Sequence, residues 1–340
     1  MFDLTLDRRL IVAEVGQAHD GSLGQAFSAI RSAAEAGADA VKFQLHRPHL
    51  ESTLEEKFRV PLEGGQDSSR FDYWIRTSFS RSEWFQLRRF ASDLGIYFGL
   101  SVFSSGAVEE AEALGVDFLK IGSAETNQLW LLEAVAAVGL PTIISTGMSS
   151  WKEIVEASVA AERLRPQLVF LQCHSSYPAA KEDSGLNLLA ELRDRLQVLS
   201  GYSDHTGNLE VCQIALALGA AVVEAHVTFS QAMFGHDSSS SLTFQDLERL
   251  VHFRNTLEAC LRNPVDKDVV SAKTAPMKEL FGRSIAPARR IHVGEVLSEE
   301  NLLPKKPASG IPWSVLPEVL GKQANRELQP EHLLRWEDFS

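Results

Sequence analysis

Two lysines, Lys42 and Lys120, stand inside otherwise apolar segments, AVKFQL and FLKIGS, where an ammonium is costly unless it is paired or meets an anion. One reading is an internal ion pair with Glu14 or Glu125. Taken together with Ser123 and the Ser145-Thr146-Gly147 turn, two lysines look more like a cradle for phosphate and carboxylate groups. His205 in GYSDHTG and His226 in EAHVTF form a second constellation that could share one metal ion, although a lone buried histidine is more often a satisfied core residue. Two nitrogens would leave positions open for water and a substrate oxygen, which is a catalytic arrangement and not a structural one. Glu14, Glu125 and Asp237 are candidates for proton transfer or for binding hydroxyls, and each taken singly also reads as an ordinary ion-paired or surface carboxylate.

These residues need a scaffold that brings them to one place. Short Val/Ile/Phe-rich runs alternate with amphipathic stretches of helix length, the pattern of βα units on a parallel sheet. Eight runs qualify, at 10–16, 40–45, 97–103, 118–123, 141–146, 167–173, 197–203 and 222–228. A quasi-repeat supports them: EAGADAVKF, SDLGIYFGL, EALGVDFLK, AAVGLPTII and LALGAAVVE each place a glycine (Gly37, Gly95, Gly115, Gly139, Gly219) between helix and strand. Glycine accepts the left-handed conformation that ends a helix and reverses the chain. Eight such units match the size of a (β/α)8 TIM barrel, with an open doubly wound sheet as the alternative. In a barrel the C-terminal strand ends converge, so Glu14, Gln17, His19, Lys42, Gln44, Ser101, Phe103, Lys120, Ser123, Glu125, Ser145, His174, Ser175, Tyr177, Ser203, Asp204, His205 and His226 fall on one face.

The barrel is expected over 1–262, with its last helix at about 242–261, followed by a polar connector at 263–280 and a small α+β module at 281–340. In that module SIAPARRI and GEVL read as β-like, SEENLL and WSVLPEVLG as helical. The 46–80 stretch, with Phe58, Phe71, Tyr73 and Trp74, is long for a βα loop and reads as a lid or contact surface. Lys plus Arg number 33 against 45 Asp plus Glu, and the resulting net charge of −12 argues against a nucleic-acid partner. No apolar run approaches the ~20 residues of a membrane span, and the opening MFDLTLDRRL has no secretory h-region. Cys173, Cys212 and Cys260 are sparse, odd in number and without metal spacing, as expected of free thiols in the cytoplasm.

IVAEVGQAHDG, GADAVKFQ, FLKIGSAE, ISTGM, SSYP, GYSDHTG and EAHVTF, in this order and spacing, resemble the sialic acid synthases. RSIAPARRIHVGEVLSEENLLPKKPASGI resembles their C-terminal antifreeze-like, or SAF, domain. The resemblance implies condensation of phosphoenolpyruvate with an N-acetylated aldose (N-acetylmannosamine or a 2,4-diacetamido-6-deoxyhexose), C–O cleavage and phosphate release. It implies Mn²⁺, or Mg²⁺ or Co²⁺, on His205 and His226, with His205 also counted as catalytic. Lys42, Ser101, Lys120, Ser123, Ser145 and Ser203 would hold phosphoenolpyruvate; Glu14 and Glu125 would handle protons. Gln44, Phe103, Ser175, Tyr177 and Asp237 would line the sugar end, joined by Lys306 from the partner of a domain-swapped homodimer. Ser101-Val102-Phe103-Ser104 stands where relatives show Thr-Pro-Phe-Asp, Ala18 for a usual Asn, and Lys306-Pro307-Ala308-Ser309-Gly310 for Arg-Pro-Gly-x-Gly. These departures fall on the acceptor side, so the reaction class is better marked than the sugar. A metal-dependent aldolase would share barrel and metal without needing the lysines, and a carbohydrate-binding protein would need neither.

Overall fold

Strands buried on both faces, five of them reached through a glycine at the end of the preceding helix, assemble here into a closed parallel barrel. The computed structural model describes residues 2, 4, 8–58 and 65–340; most of the opening segment's first seven residues and the 59–64 part of the long loop lie outside the described residues. Among the described residues, β1 (Leu10–Gly16), β2 (Ala40–Leu45), β3 (Tyr97–Val102), β4 (Phe118–Ile121), β5 (Thr142–Ser145), β6 (Leu168–Gln172), β7 (Leu199–Asp204) and β8 (Val222–Thr228) pair in sequence order. β1 also pairs with β8, which closes the sheet and rules out the open doubly wound arrangement. A short β9 (Leu242–Thr243) pairs parallel with the end of β8 ahead of the long helix Phe244–Leu261. The five repeat glycines all have positive φ, between +68° and +95°, as their helix-ending position requires.

Residue parity along the strands separates two buried clusters. Ile11, Ala13, Val15, Val41, Phe43 and Leu45 join the cluster shared with the helices. Leu10, Val12, Ala40, Phe118, Ile143, Val169, Leu171 and Val222 form the other, an apolar floor inside the barrel, where Phe2 stacks on Phe118 at 4.4 Å. Side chains alternate between the faces of a strand, so the next inward positions above this floor are Glu14, Lys42, Lys120, Ser145 and Glu224. The floor therefore sets the depth of the polar layer.

The chain divides into two compact units, Met1–Leu261 and Arg262–Ser340. In the second, β10 (Ser284–Pro287) pairs antiparallel with β11 (Leu302–Lys305) beside an apolar cluster including Ile285, Ile291, Leu297, Val319 and Leu334. The 263–280 connector carries two short helices, Lys267–Lys273 and Ala275–Phe281. SEENLL, expected to be helical, is a turn leading into β11: buried Asn301 accepts from the Ser298 amide at 2.8 Å and donates to the Val296 carbonyl at 2.9 Å. Such local side-chain bonds compete with a helix and win here. GEVL makes only an isolated bridge, Val296 to Gln323, whereas WSVLPEVLG does form short helices at Trp313–Val315 and Leu316–Val319.

The floor tolerates no added volume at Gly99, where a Cβ would lie 2.1 Å from the Phe118 ring. Gly99→Ala should destabilise the barrel by about 1–3 kcal/mol, read as a lower urea midpoint at unchanged slope. An unchanged midpoint would mean that the floor is loosely packed.

Candidate active site

Above the floor, the strand ends enclose a cavity of about 370 Å³. Most of the barrel candidates line it: Glu14, Lys42, Gln44, Ser101, Phe103, Lys120, Ser123 and Glu125 from the first half, and Ser145, Ser175, Tyr177, Ser203, His205, His226 and Asp237 from the second, whereas His174 and Asp204 do not. Lys306 belongs to the second unit, where its Nζ lies 5.2 Å from the Phe281 ring centre. Gln17 also lines the cavity, but His19 does not. His19 is a core histidine that accepts from the Gly21 amide at 3.1 Å and lies 4.6 Å from the Phe79 ring; burial and then His46 lower its pKa to about 3.

The lysines sit in a network of buried charge. Lys42 Nζ lies 2.5 Å from Glu14 Oε2 and donates to Ser101 Oγ at 2.7 Å. Register explains these contacts, because Glu14 pairs with Lys42 across β1 and β2, and Ser101 with Gln44 and Lys120 across β2 to β4. Lys120 pairs with neither Glu14 nor Glu125. Its carboxylate partner is Glu224, 3.8 Å away, and Glu224 also lies 3.8 Å from Lys42. Ser203 donates to Glu224 at 3.0 Å. Glu224 escapes sequence reading because one acidic residue in VVEAHVT looks incidental; its signal is parity, two residues before His226 on the same strand face.

Burial and charge set the protonation states. Burial pushes the Lys120 ammonium down, with Glu224 resisting. Burial raises the Glu224 carboxyl, but Lys120 and Lys42 overcome it and hold the pKa below the usual range. Glu125 moves upward through burial, against the pull of Lys120. Its Oε2 folds over Gly122, where a Cβ would stand at 2.6 Å, so that glycine makes room for the carboxylate. Around the lysines, Ser123 Oγ accepts from the Gly147 amide at 3.2 Å, while the buried hydroxyls of Ser145 and Ser175 have no protein partner. Unpartnered buried hydroxyls in a polar cavity are groups awaiting a ligand or water.

The two histidines are neighbours, with ring centres 5.6 Å apart. His205 Nδ1 lies 2.7 Å from the His174 carbonyl, which can only accept, so Nδ1 carries the proton and Nε2 presents its lone pair to the cavity. Tyr177 stacks on the His205 ring at 4.1 Å and its hydroxyl donates to that Nε2 at 3.0 Å. Burial, followed by the proximity of His226, lowers the His205 pKa to about 3, which keeps the ring neutral. His226 Nδ1 is buried without a hydrogen-bond partner. Among the described residues no group of three or more His, Cys, Asp and Glu is arranged around a common metal position.

The long loop, expected to be a lid or contact surface, contributes one wall of the cavity. Phe58, Arg70, Tyr73 and Trp74 line the cavity, and His46 beneath them is pressed between Trp74 at 3.6 Å and Phe103 at 4.3 Å.

Glu224→Gln should cost about 3–5 kcal/mol in denaturant unfolding, because it strips buried Lys120 of its carboxylate partner and leaves Lys42 with Glu14 alone. A loss below 1 kcal/mol would show that the lysines do not depend on it.

Residues 29–266 match the NeuB family and residues 282–340 the SAF domain. The chain is 32% identical to the N,N'-diacetyllegionaminic acid synthase of Legionella pneumophila, covering 96% of this chain and 93% of that one. It is 35% identical to the human N-acetylneuraminate-9-phosphate synthase, covering 87% and 82%. Its structure is similar to that of the N-acetylneuraminic acid synthetase of Leptospira borgpetersenii crystallised with citrate, with TM-score 0.70, 27% identity, and 80% and 92% of the two chains covered. Cavity, strand-end residues and both matched regions lead to one statement: the chain belongs to the NeuB family.

Proposed function

We propose that the chain is a nonulosonic acid synthase, a transferase that condenses phosphoenolpyruvate with an N-acetylated aldose and releases phosphate. The observation that carries this reading is the meeting of a buried lysine pair and the neighbouring histidines His205 and His226 in one cavity of a NeuB-family barrel. An aldolase would have no use for the lysines, and a carbohydrate-binding protein no use for buried charge at the strand ends.

Phosphoenolpyruvate brings a phosphate and a carboxylate, and Lys42, Lys120, Ser101, Ser123, Ser145 and Ser203 are the groups proposed to hold them. Ser145 supports this assignment through its unpartnered hydroxyl, Lys120 through its looser contact with Glu224. In the reaction, C3 of the enol forms a bond to the aldehyde carbon, water adds at C2, and the C2–O bond to phosphate breaks. Glu125, whose pKa burial raises, suits proton donation to the aldehyde oxygen; Glu14 suits removal of a proton from the water. Gln44, Phe103, Ser175, Tyr177 and Asp237 are assigned to the sugar. The Ser175 hydroxyl has no partner, and the aromatic wall offers an apolar face to an N-acetyl methyl or a 6-deoxy carbon.

His205 and His226 fit a divalent ion in type: a tautomer fixed by the His174 carbonyl, a ring kept neutral, and an unpartnered nitrogen on the second ring. Mn²⁺, Mg²⁺ or Co²⁺ bound there would supply Lewis-acid polarisation of the aldehyde oxygen. The family resemblance extends the proposal to a domain-swapped homodimer in which Lys306 reaches the partner's sugar. The setting is cytoplasmic, which suits the free thiols of Cys173, Cys212 and Cys260.

Purified protein incubated with Mn²⁺, phosphoenolpyruvate and a panel of N-acetyl and di-N-acetyl hexoses should release phosphate only with an acceptor, with one nonulosonate formed per phosphate. Phosphate release without sugar consumption would refute the reading. His226→Ala should abolish stoichiometric Mn²⁺ binding by equilibrium dialysis and lower kcat by about 10³-fold or more. Retained binding would remove His226 from the metal site. Lys306→Ala should raise the KM for sugar and leave that for phosphoenolpyruvate nearly unchanged; equal effects would contradict its role.

A further inference from the structure

His46 follows β2 and is buried, yet neither the lysine cradle nor the histidine pair uses it. Its Nδ1 lies 2.5 Å from Glu51 Oε1, and its Nε2 lies 3.2 Å from Gln44 Oε1. Glu51 is itself held, its Oε2 accepting from the Arg47 amide at 3.1 Å. On the far side, Gln44 Nε2 donates to Glu14 Oε1 at 2.9 Å, leaving Glu14 Oε2 for Lys42. These bonds form one largely buried line from the loop to the carboxylate: Glu51, His46, Gln44, Glu14.

The donor and acceptor types along this line fix its direction. An amide oxygen can only accept, so His46 Nε2 carries a proton. The Nδ1 to Oε1 contact then needs one further proton, shared between imidazole and carboxylate. Gln44 is thereby forced to turn its NH₂ towards Glu14. Reversing the amide would set its oxygen against the Glu14 carboxylate, an acceptor facing an acceptor. Stacking between Trp74 and Phe103, with planes only 17° and 8° from the imidazole, fixes the plane of the ring, and the bonds to Glu51 and Gln44 choose between its two flipped orientations. Trp74 is fastened in turn through its Nε1 to Glu56 at 3.1 Å, with the Arg70 guanidinium 4.9 Å from its ring centre.

We infer that His46 is a positioning residue for the condensation: held by Glu51 and clamped between Trp74 and Phe103, it orients Gln44 and through it the carboxylate of Glu14. The inference rests on the synthase reading. It also ties the aromatic acceptor wall to the proton-handling side, because the imidazole that braces Phe103 is the one that sets Gln44.

The test is a double-mutant cycle on the Mn²⁺-loaded enzyme, with phosphoenolpyruvate and the panel sugar that the wild type condenses fastest. His46→Phe keeps the stack and loses both hydrogen bonds; it should lower kcat about tenfold or more while changing the KM for phosphoenolpyruvate by less than about threefold. In a Gln44→Ala background the same change should cost nothing further, since the route to Glu14 is already cut. Glu51→Ala should fall with His46→Phe. Glu51→Gln, which can still accept from Arg47 and donate to Nδ1, should recover most of the activity. If His46→Phe does not fold, the contrast between the two Glu51 variants decides. Losses that multiply in the Gln44→Ala background, or folded variants with wild-type kcat, would overturn the role of His46. A wild type that releases no phosphate with any sugar would overturn the synthase reading itself.

Discussion

Four buried charges, Lys42, Glu14, Glu224 and Lys120, are the constraint on which the rest of this barrel depends. An ammonium or carboxylate taken from water carries a penalty of several kcal/mol, and only close partners offset it. The partners must therefore stand at one depth on β1, β2, β4 and β8. Register provides that depth: Glu14 lies opposite both Lys42 and His226, and Ser203 opposite Glu224. The apolar floor of Leu10, Val12, Phe118, Val169 and Val222 keeps water from reaching the charges from below.

The same arrangement makes the cavity receptive to an anionic substrate. Lys42 is committed to Glu14 at 2.5 Å, whereas Lys120 meets Glu224 only at 3.8 Å and is pushed towards neutrality by burial. An incoming phosphate or carboxylate would give Lys120 a closer anionic partner than Glu224. Glu125, raised by burial, gains least from Lys120 when that lysine turns to substrate, which favours its protonated form further. Across the cavity His205 is kept neutral by burial and oriented by the His174 carbonyl, so cationic and lone-pair chemistry stay apart within one pocket.

Much of this was legible in the sequence, for physical reasons that can be traced residue by residue. A strand of a parallel barrel is apolar, so Lys42 and Lys120 stood out; a helix that reverses sharply favours glycine at its left-handed end, so Gly115 and Gly139 marked the βα rhythm. Glu224 did not stand out, because its importance comes from a cross-strand neighbour and not from its own surroundings in the chain. His46 was hidden for a similar reason: its partners Glu51, Trp74 and Phe103 are brought to it by the fold of the long loop and by β3. SEENLL failed as a helix because Asn301 has a better local use for its amide. The sugar is the least legible part, and the similar relatives are named as synthases of different products, N,N'-diacetyllegionaminic acid and N-acetylneuraminate-9-phosphate.

The central claim is that the lysine cradle holds phosphoenolpyruvate while carbon is joined at C3 and the C2–O bond to phosphate breaks. Phosphoenolpyruvate carrying ¹⁸O in its bridging position tests this most directly, with released phosphate and sugar product both examined by mass spectrometry. The account predicts that the label leaves with the phosphate and that the product's C2 oxygen comes from water. Label retained at C2 of the product would mean P–O cleavage and would contradict the account.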